Sequence, residues 1–306
     1  MAQELPDAPF HLIARSRSGH PSLLLGAVDA GFRAPVRLAG LEISYSVPCR
    51  VLLTGKPPGD RTLTVVTCTI TDPAVQDYFL HVMEAIVQAI GSTPSVGTIS
   101  GALQSIIDIM QELAAPPRKA VAGCFAELVM IWLSQDVTAS LRAWRSSVDE
   151  RFDFSLGDAR LEVKASNSRA RLHYFSAAQC SPPEGSTAAL ASLYVEPAAG
   201  GLTLAGLISR IERRLGSGHS LLLKLRQVTA ATLGSAAATG LRCGFDEQVA
   251  VSSLQLYDLR AIPAIRGAIP TEVSEVRFRS DISAVVPIDR RAMVQSSPTL
   301  DALLPR

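Results

Sequence analysis

The chain has 306 residues, 47% of them hydrophobic, enough for one large core or two modest ones. A formal net charge of +1 excludes the strongly basic class of nucleic-acid binders, so any contact with a polyanion must come from local basic patches, metal ions or a partner. Five scattered cysteines (Cys49, Cys68, Cys124, Cys180 and Cys243), odd in number and without a C-x-x-C spacing, argue against a disulfide framework or zinc knuckle and for reduced thiols.

The first twenty residues carry Glu4, Asp7, Arg15 and Arg17 and no apolar h-region, so no signal peptide is expected. The longest charge-free run, Ala85 to Ile107, contains Gly, Ser, Thr and Pro94 and makes a poor membrane span. A soluble cytoplasmic protein is the expectation. Residues 1–72 read as β-rich, with strands at 19–26, 36–47, 50–54 and 62–70 and a turn at 56–61. Gly55-Lys56 lacks the upstream glycine of a P-loop and precedes Pro57, so it is not read as one. His20 and His219 read as loop residues ahead of strands rather than as ligands.

Residues 73–137 read as helical. Thr71 or Asp72 caps a first helix through Ile90, and a Gly/Ser/Thr/Pro segment breaks it. A second helix spans Ile99 to Leu113 and stops at Pro116-Pro117. A third, Lys119 to Gln135, is apolar nearly all round, as a buried helix is. Glu127 sits inside it, on a stripe with the small residues Ala120, Gly123 and Ser134. A carboxylate there is costly to bury unless paired, hydrogen-bonded or metal-linked.

After Trp144, a packing residue or a lid, comes R-F-D-F-S-L-G-D-A-R-L-E-V-K (151–164). Gly157-Asp158 between alternating apolar runs predicts a two-residue hairpin turn. That register sets Phe154 opposite Leu161 and Asp153 opposite Glu162. Asp153, Glu162 and Lys164 then share one face, and Phe152, Phe154, Leu161 and Val163 share the other. Facing carboxylates repel unless a divalent cation lies between them. An exposed face of solvated charges is the alternative.

Downstream, 169–176 reads as a third strand with His173, a general base or a structural histidine, and with Arg169 and Arg171 available to phosphates or solvent. A buried strand follows at 188–197, then an amphipathic helix at 202–215. Arg210, Arg213 and Arg214 on its outer side form a basic patch or a solvated face. Residues 248–259, 262–270 and 273–282 read as strands, the last able to return to the N-terminal sheet. Thr299 to Arg306 reads as a frayed tail.

The ordered set G-C-F-A-E-L (123–128), Trp144, D-F (153–154), L-E-V-K-A-S (161–166), Ser176 and Gln179 resembles the PD-(D/E)XK nuclease superfamily. It is most similar to a bacterial branch of uncharacterised function, often found beside restriction or phage-defence genes. The likeness covers about residues 95 to 290. It implies an α/β fold: a restriction-endonuclease-like mixed sheet flanked by helices, with an N-terminal β-rich module. The expected division is 1–90 (β-rich module with its leading helix), 91–235 (nuclease core) and 236–306 (strands packing on the core or the N-terminal sheet). The implied activity is Mg²⁺- or Mn²⁺-dependent hydrolysis of DNA, in a homodimer or a complex with other defence subunits. Asp153, Glu162, the Val163 carbonyl and Glu127 would hold the metal, and Lys164 would stabilise charge or activate water. Gln179 would contact that lysine or the DNA backbone. A catalytically silent subunit that binds DNA or a protein is the alternative.

Overall fold

The structure, a computed structural model, describes residues 2–6, 8–29, 31, 33–53, 57–147, 149–216, 218–267 and 270–306. The Gly55-Lys56 pair and the first residue of the expected turn at 56–61 lie outside them. In chain order come β1 (Ala2–Leu5), β2 (Ala8–Arg15), β3 (Pro21–Gly26), β4 (Val36–Leu38), β5 (Leu41–Val51), β6 (Gly59–Cys68), α1 (Pro73–Ile90) and α2 (Val96–Ala114). Then follow α3 (Val121–Leu133), α4 (Val137–Ala143), β7 (Phe154–Leu156), β8 (Ala159–Ser166), β9 (Leu172–Ser176), β10 (Thr187–Tyr194), β11 (Pro197–Thr203), α5 (Leu204–Leu215) and α6 (His219–Leu233). The short elements α7 (Ala237–Gly240), β12 (Gly244–Phe245), α8 (Glu247–Ser252), β13 (Gln255–Asp258), β14 (Arg277–Asp281) and α9 (Arg290–Ser296) complete the chain.

The chain divides into two compact units, Met1–Pro117 with Ser217–Ala238, and Arg118–Gly216 with Thr239–Arg306. Residues 91–117 and 218–235 thus fall with the N-terminal sheet.

The first unit holds a six-stranded antiparallel sheet in the order β1-β2-β3-β6-β5-β4, with α1, α2 and α6. Gly40, at φ +90°, divides the expected 36–47 strand into β4 and β5. Asp72 caps α1 by accepting from the Ala74 N–H, with Pro73 in the first turn, and Ser95 caps α2 by accepting from Thr98. His20 lies ahead of β3 as expected, but His219 begins α6 rather than a strand. The Gly218-His219 sequence resembles the Gly19-His20 one, while the fourteen residues that follow it carry no strand-like alternation and fold as a helix.

The second unit carries a mixed sheet in the order β13-β10-β8-β7, with β8 and β10 parallel and both edges antiparallel. Helix α3 packs on β8, and α5 on α3. This is the α/β architecture of a mixed sheet with helices that the sequence implied. The central strand β10 reads as a near-continuous apolar run because both faces are covered, while β8 alternates and carries Arg160, Glu162 and Lys164. β9 lies outside that sheet and pairs with β14, Phe175 opposite Phe278. The last strand therefore joins β9 rather than the N-terminal sheet.

Two further expectations are corrected in this unit. Asp246 caps a helix by accepting from Val249, so 248–259 splits into α8 and β13, and the described part of 262–270 forms no strand. The C-terminal tail is docked, not frayed. Leu300, Leu303 and Leu304 are buried, and its backbone bonds Leu133 and Gln135. Among the described residues no helix is long and apolar enough to cross a membrane.

Candidate active site

The hairpin forms in the predicted register. Phe154 pairs with Leu161, Ser155 with Arg160 and Leu156 with Ala159, and Gly157 takes φ +53° at the turn. Asp153 lies one residue before β7, and its Oδ2 accepts from the Val163 N–H at 2.9 Å. Its backbone carbonyl accepts from the Arg145 N–H at 2.9 Å, which ties the end of α4 to the hairpin. Glu162 and Lys164 point from the same face of β8, with Lys164 Nζ 2.7 Å from Glu162 Oε1. The solvated-face alternative fails: Asp153 and Glu162 are only 3% and 2% exposed.

Glu127, 2% exposed on α3, joins the same cluster. Its Oε2 accepts from Trp144 Nε1 at 2.7 Å and lies 3.0 Å from Arg145 Nη2, and its Oε1 is 3.0 Å from Lys119 Nζ. The indole is thus neither lid nor simple filler but a donor. Lys119 Nζ also reaches Asp153 Oδ1 at 2.8 Å, so one ammonium bridges the helix carboxylate and the hairpin carboxylate. Gln179 lies in a turn after β9 rather than in a helix. Its backbone N–H donates to Ser176 Oγ, its side-chain carbonyl accepts from the Ser176 N–H, and its Nε2 donates to Glu162 Oε1 at 2.8 Å.

Three carboxylates thus face three side-chain cations, Lys119, Arg145 and Lys164. Burial, then the Asp153 charge, pushes the Glu162 carboxyl up to about 7 against the pull of Lys164. Burial and Asp153 also raise Glu127 despite Lys119 and Arg145. Burial acts upward on Asp153 too, but the Lys119 and Lys164 charges and the Val163 N–H outweigh it and hold that carboxyl below its usual range. Burial disfavours the Lys119 charge, and the Asp153 and Glu127 carboxylates more than restore it.

His173 faces inward from β9 and stands 2.8 Å from Ser192 Oγ, which also accepts from Arg171 Nη1 at 2.7 Å. Arg171 can only donate, so Ser192 Oγ accepts from it. Burial, then Lys164 and Arg171, brings the His173 imidazole down to about 4. Arg171 is buried between the Tyr194 and Tyr257 rings, while Arg169 is outside, paired with Glu196. In the basic patch, Arg210 pairs with Glu247 over the Trp132 ring and Arg214 donates to the Trp132 and Ser134 carbonyls. Arg213 is exposed.

The sequence reading missed Lys119 and Arg145 as members of the cluster. Charge balance was the available signal, because three buried carboxylates need more cations than Lys164 alone.

Residues 14–283 match the family described as "Putative PD-(D/E)XK family member, (DUF4420)". The chain belongs to this family. No curated protein and no solved structure matches it. The matched range includes Asp153, Glu162 and Lys164, whose D…E-x-K spacing carried the resemblance and which the hairpin brings together.

Members of the superfamily use a divalent metal. Among the described residues no three His, Cys, Asp or Glu side chains are gathered to hold an ion. Glu127 has both oxygens engaged by Lys119, Trp144 and Arg145. Glu162 Oε2 is different: it is buried and has no hydrogen-bond partner among the described residues. Such an atom is costly unless it serves a ligand. Mg²⁺ takes one or two carboxylates and fills its remaining positions with water and phosphate oxygens. The Asp153–Glu162 pair fits that requirement.

Proposed function

We propose that the protein is a metal-dependent endonuclease that hydrolyses DNA phosphodiester bonds, as part of a restriction or phage-defence system. The observation that supports this most is the Glu162–Lys164 pair on β8 beside buried Asp153, with Glu162 Oε2 unpartnered among the described residues. Burying this much charge costs stability, and such costs concentrate at functional sites.

In this reading Asp153, Glu162 and the Val163 carbonyl hold Mg²⁺ or Mn²⁺. When bound, the ion supplies Lewis-acid stabilisation of the phosphate and acidifies a water. Lys164 donates to a phosphate oxygen, where charge grows as the bond to the leaving oxygen breaks. Gln179 fixes the Glu162 carboxylate through the 2.8 Å hydrogen bond. Glu127 orders Lys119 and Arg145 and, once Lys119 moves, offers Oε1 as a third oxygen donor. Basic residues near the site and a second subunit, identical or not, provide the DNA grip that a net charge of +1 does not.

The test is cleavage of supercoiled plasmid with Mg²⁺ or Mn²⁺. Nicking or linearisation by the wild type, reduced about 100-fold or more in Lys164→Ala, supports the assignment. One observation favours a second reading, a silent nuclease-fold subunit: Lys119, Arg145 and Lys164 neutralise the three carboxylates without any metal. A folded protein that neither cleaves nor binds Mn²⁺ would favour that reading.

A further inference from the structure

The position between Glu127 and Asp153 is already filled, and by a side chain unlike its neighbours. Lys119 Nζ lies 3.0 Å from Glu127 Oε1 and 2.8 Å from Asp153 Oδ1. Arg145, the other cation on these carboxylates, is 1% exposed, lies against the Trp144 ring and cannot leave without opening the core. Lys164 is carried by β8, a strand paired on both sides. Lys119 belongs to neither helix nor strand. It follows Pro116-Pro117, precedes an α3 N-terminus without a side-chain cap, and keeps 32% of its side chain exposed. It is the most exposed cation of the cluster, against 20% for the Lys164 side chain and 1% for Arg145.

We propose that Lys119 is an exchangeable cation: it bridges Glu127 and Asp153 while no metal is bound, and it withdraws when a divalent ion binds at Asp153. The inference rests on the metal site proposed above. Charge counting supports it. Three carboxylates and three cations cancel, so a divalent ion entering with Lys119 in place would leave two uncompensated positive charges in buried surroundings. Withdrawal of Lys119 reduces the excess to one. It also returns Asp153 Oδ1 to the metal, while Oδ2 keeps the Val163 N–H. The released ammonium remains next to the site, where a substrate phosphate can take it up.

Calorimetric titration of the full chain with Mn²⁺ tests this without reference to cleavage. Lys119→Gln keeps an amide donor for one carboxylate and removes the charge, and is expected to bind Mn²⁺ about tenfold or more tightly than the wild type. Lys119→Arg keeps the charge and is expected to bind no more tightly than the wild type. Equal Mn²⁺ affinity in wild type and Lys119→Gln would overturn the exchange and leave the metal site standing. No Mn²⁺ binding by either folded protein would overturn both. If Lys119→Gln does not fold, the wild type serves: amine acylation read by peptide mass spectrometry should label Lys119 faster in saturating Mn²⁺. Unchanged or slower labelling with Mn²⁺ bound would overturn the exchange.

Discussion

The two units bury polar groups in contrasting ways. In the first, the buried polar side chains are mainly neutral, His11, Ser22, Thr64, Thr229 and Thr232 among them, and Arg226 alone of the described buried set there carries a fixed charge. His11 is satisfied by backbone, its Nε2 2.9 Å from the Gly91 carbonyl and its Nδ1 accepting from the Gly26 N–H. In the second, Glu127, Arg145, Asp153, Glu162, Arg171 and His173 are all buried. The first unit buries what backbone can satisfy. The second also buries Glu127, Arg145, Asp153 and Glu162 as one cluster of charges, while its buried Arg171 donates to the Ser192 and Ser253 carbonyls. The cost of charge burial therefore falls almost wholly on the unit with the D…E-x-K frame, as it does where binding or chemistry needs it.

The contrast breaks most sharply at Arg145. Replacing it by Met removes the fully buried partner of Glu127 and should destabilise the protein by about 3–5 kcal/mol in chemical denaturation. An effect under about 1 kcal/mol would mean that the carboxylates are not charged in the folded state.

Acid comes next. His173 falls from an ordinary value near 6.5 to about 4 on folding, so its contribution is fully present above about 6.5 and is lost as pH falls through about 4. That loss amounts to at most about 3 kcal/mol. Denaturation midpoints between pH 7 and 4 should drop for the wild type and drop less for His173→Gln. His11, also lowered by burial, sharpens the comparison: with no neighbouring cation among its causes, His11→Gln should flatten the acid loss less than His173→Gln does.

Smaller effects belong to local geometry. Gly157→Ala meets only ordinary contact with Thr299 but forces a φ of +53° on a Cβ-bearing residue, for a loss of about 1–2 kcal/mol by thermal denaturation. Ser95→Ala in the first unit removes the α2 cap and should cost about 1 kcal/mol by the same measurement.

Much of this was legible in the sequence because it is local. Gly157-Asp158 fixed the hairpin register, and with it the shared face of Glu162 and Lys164. Asp72 and the two prolines marked the helix boundaries. The partners that depend on distant residues were not legible. No periodicity puts Lys119 between Glu127 and Asp153, Trp144 on Glu127 or Arg171 inside the core. The turn after β9 shows the same limit. Ser176 and Gln179 close on each other as a helix start would, yet the chain turns away at Ser181-Pro182-Pro183 and leaves the amide on Glu162.

The most direct measurement is plasmid cleavage in Mg²⁺ by wild type and Glu162→Gln at pH 8, paired with their denaturation curves. The Glu162 carboxyl rises to about 7 on folding, so its stabilising contribution is complete below about 4.5 and is lost as pH rises through 7. The glutamine variant should therefore be at least as stable as the wild type at pH 8 while cleaving about 100-fold less or not at all. A variant that cleaves like the wild type, or a wild type that is inert in Mg²⁺ and less stable once Glu162 is replaced, would contradict the account and make the buried carboxylates structural.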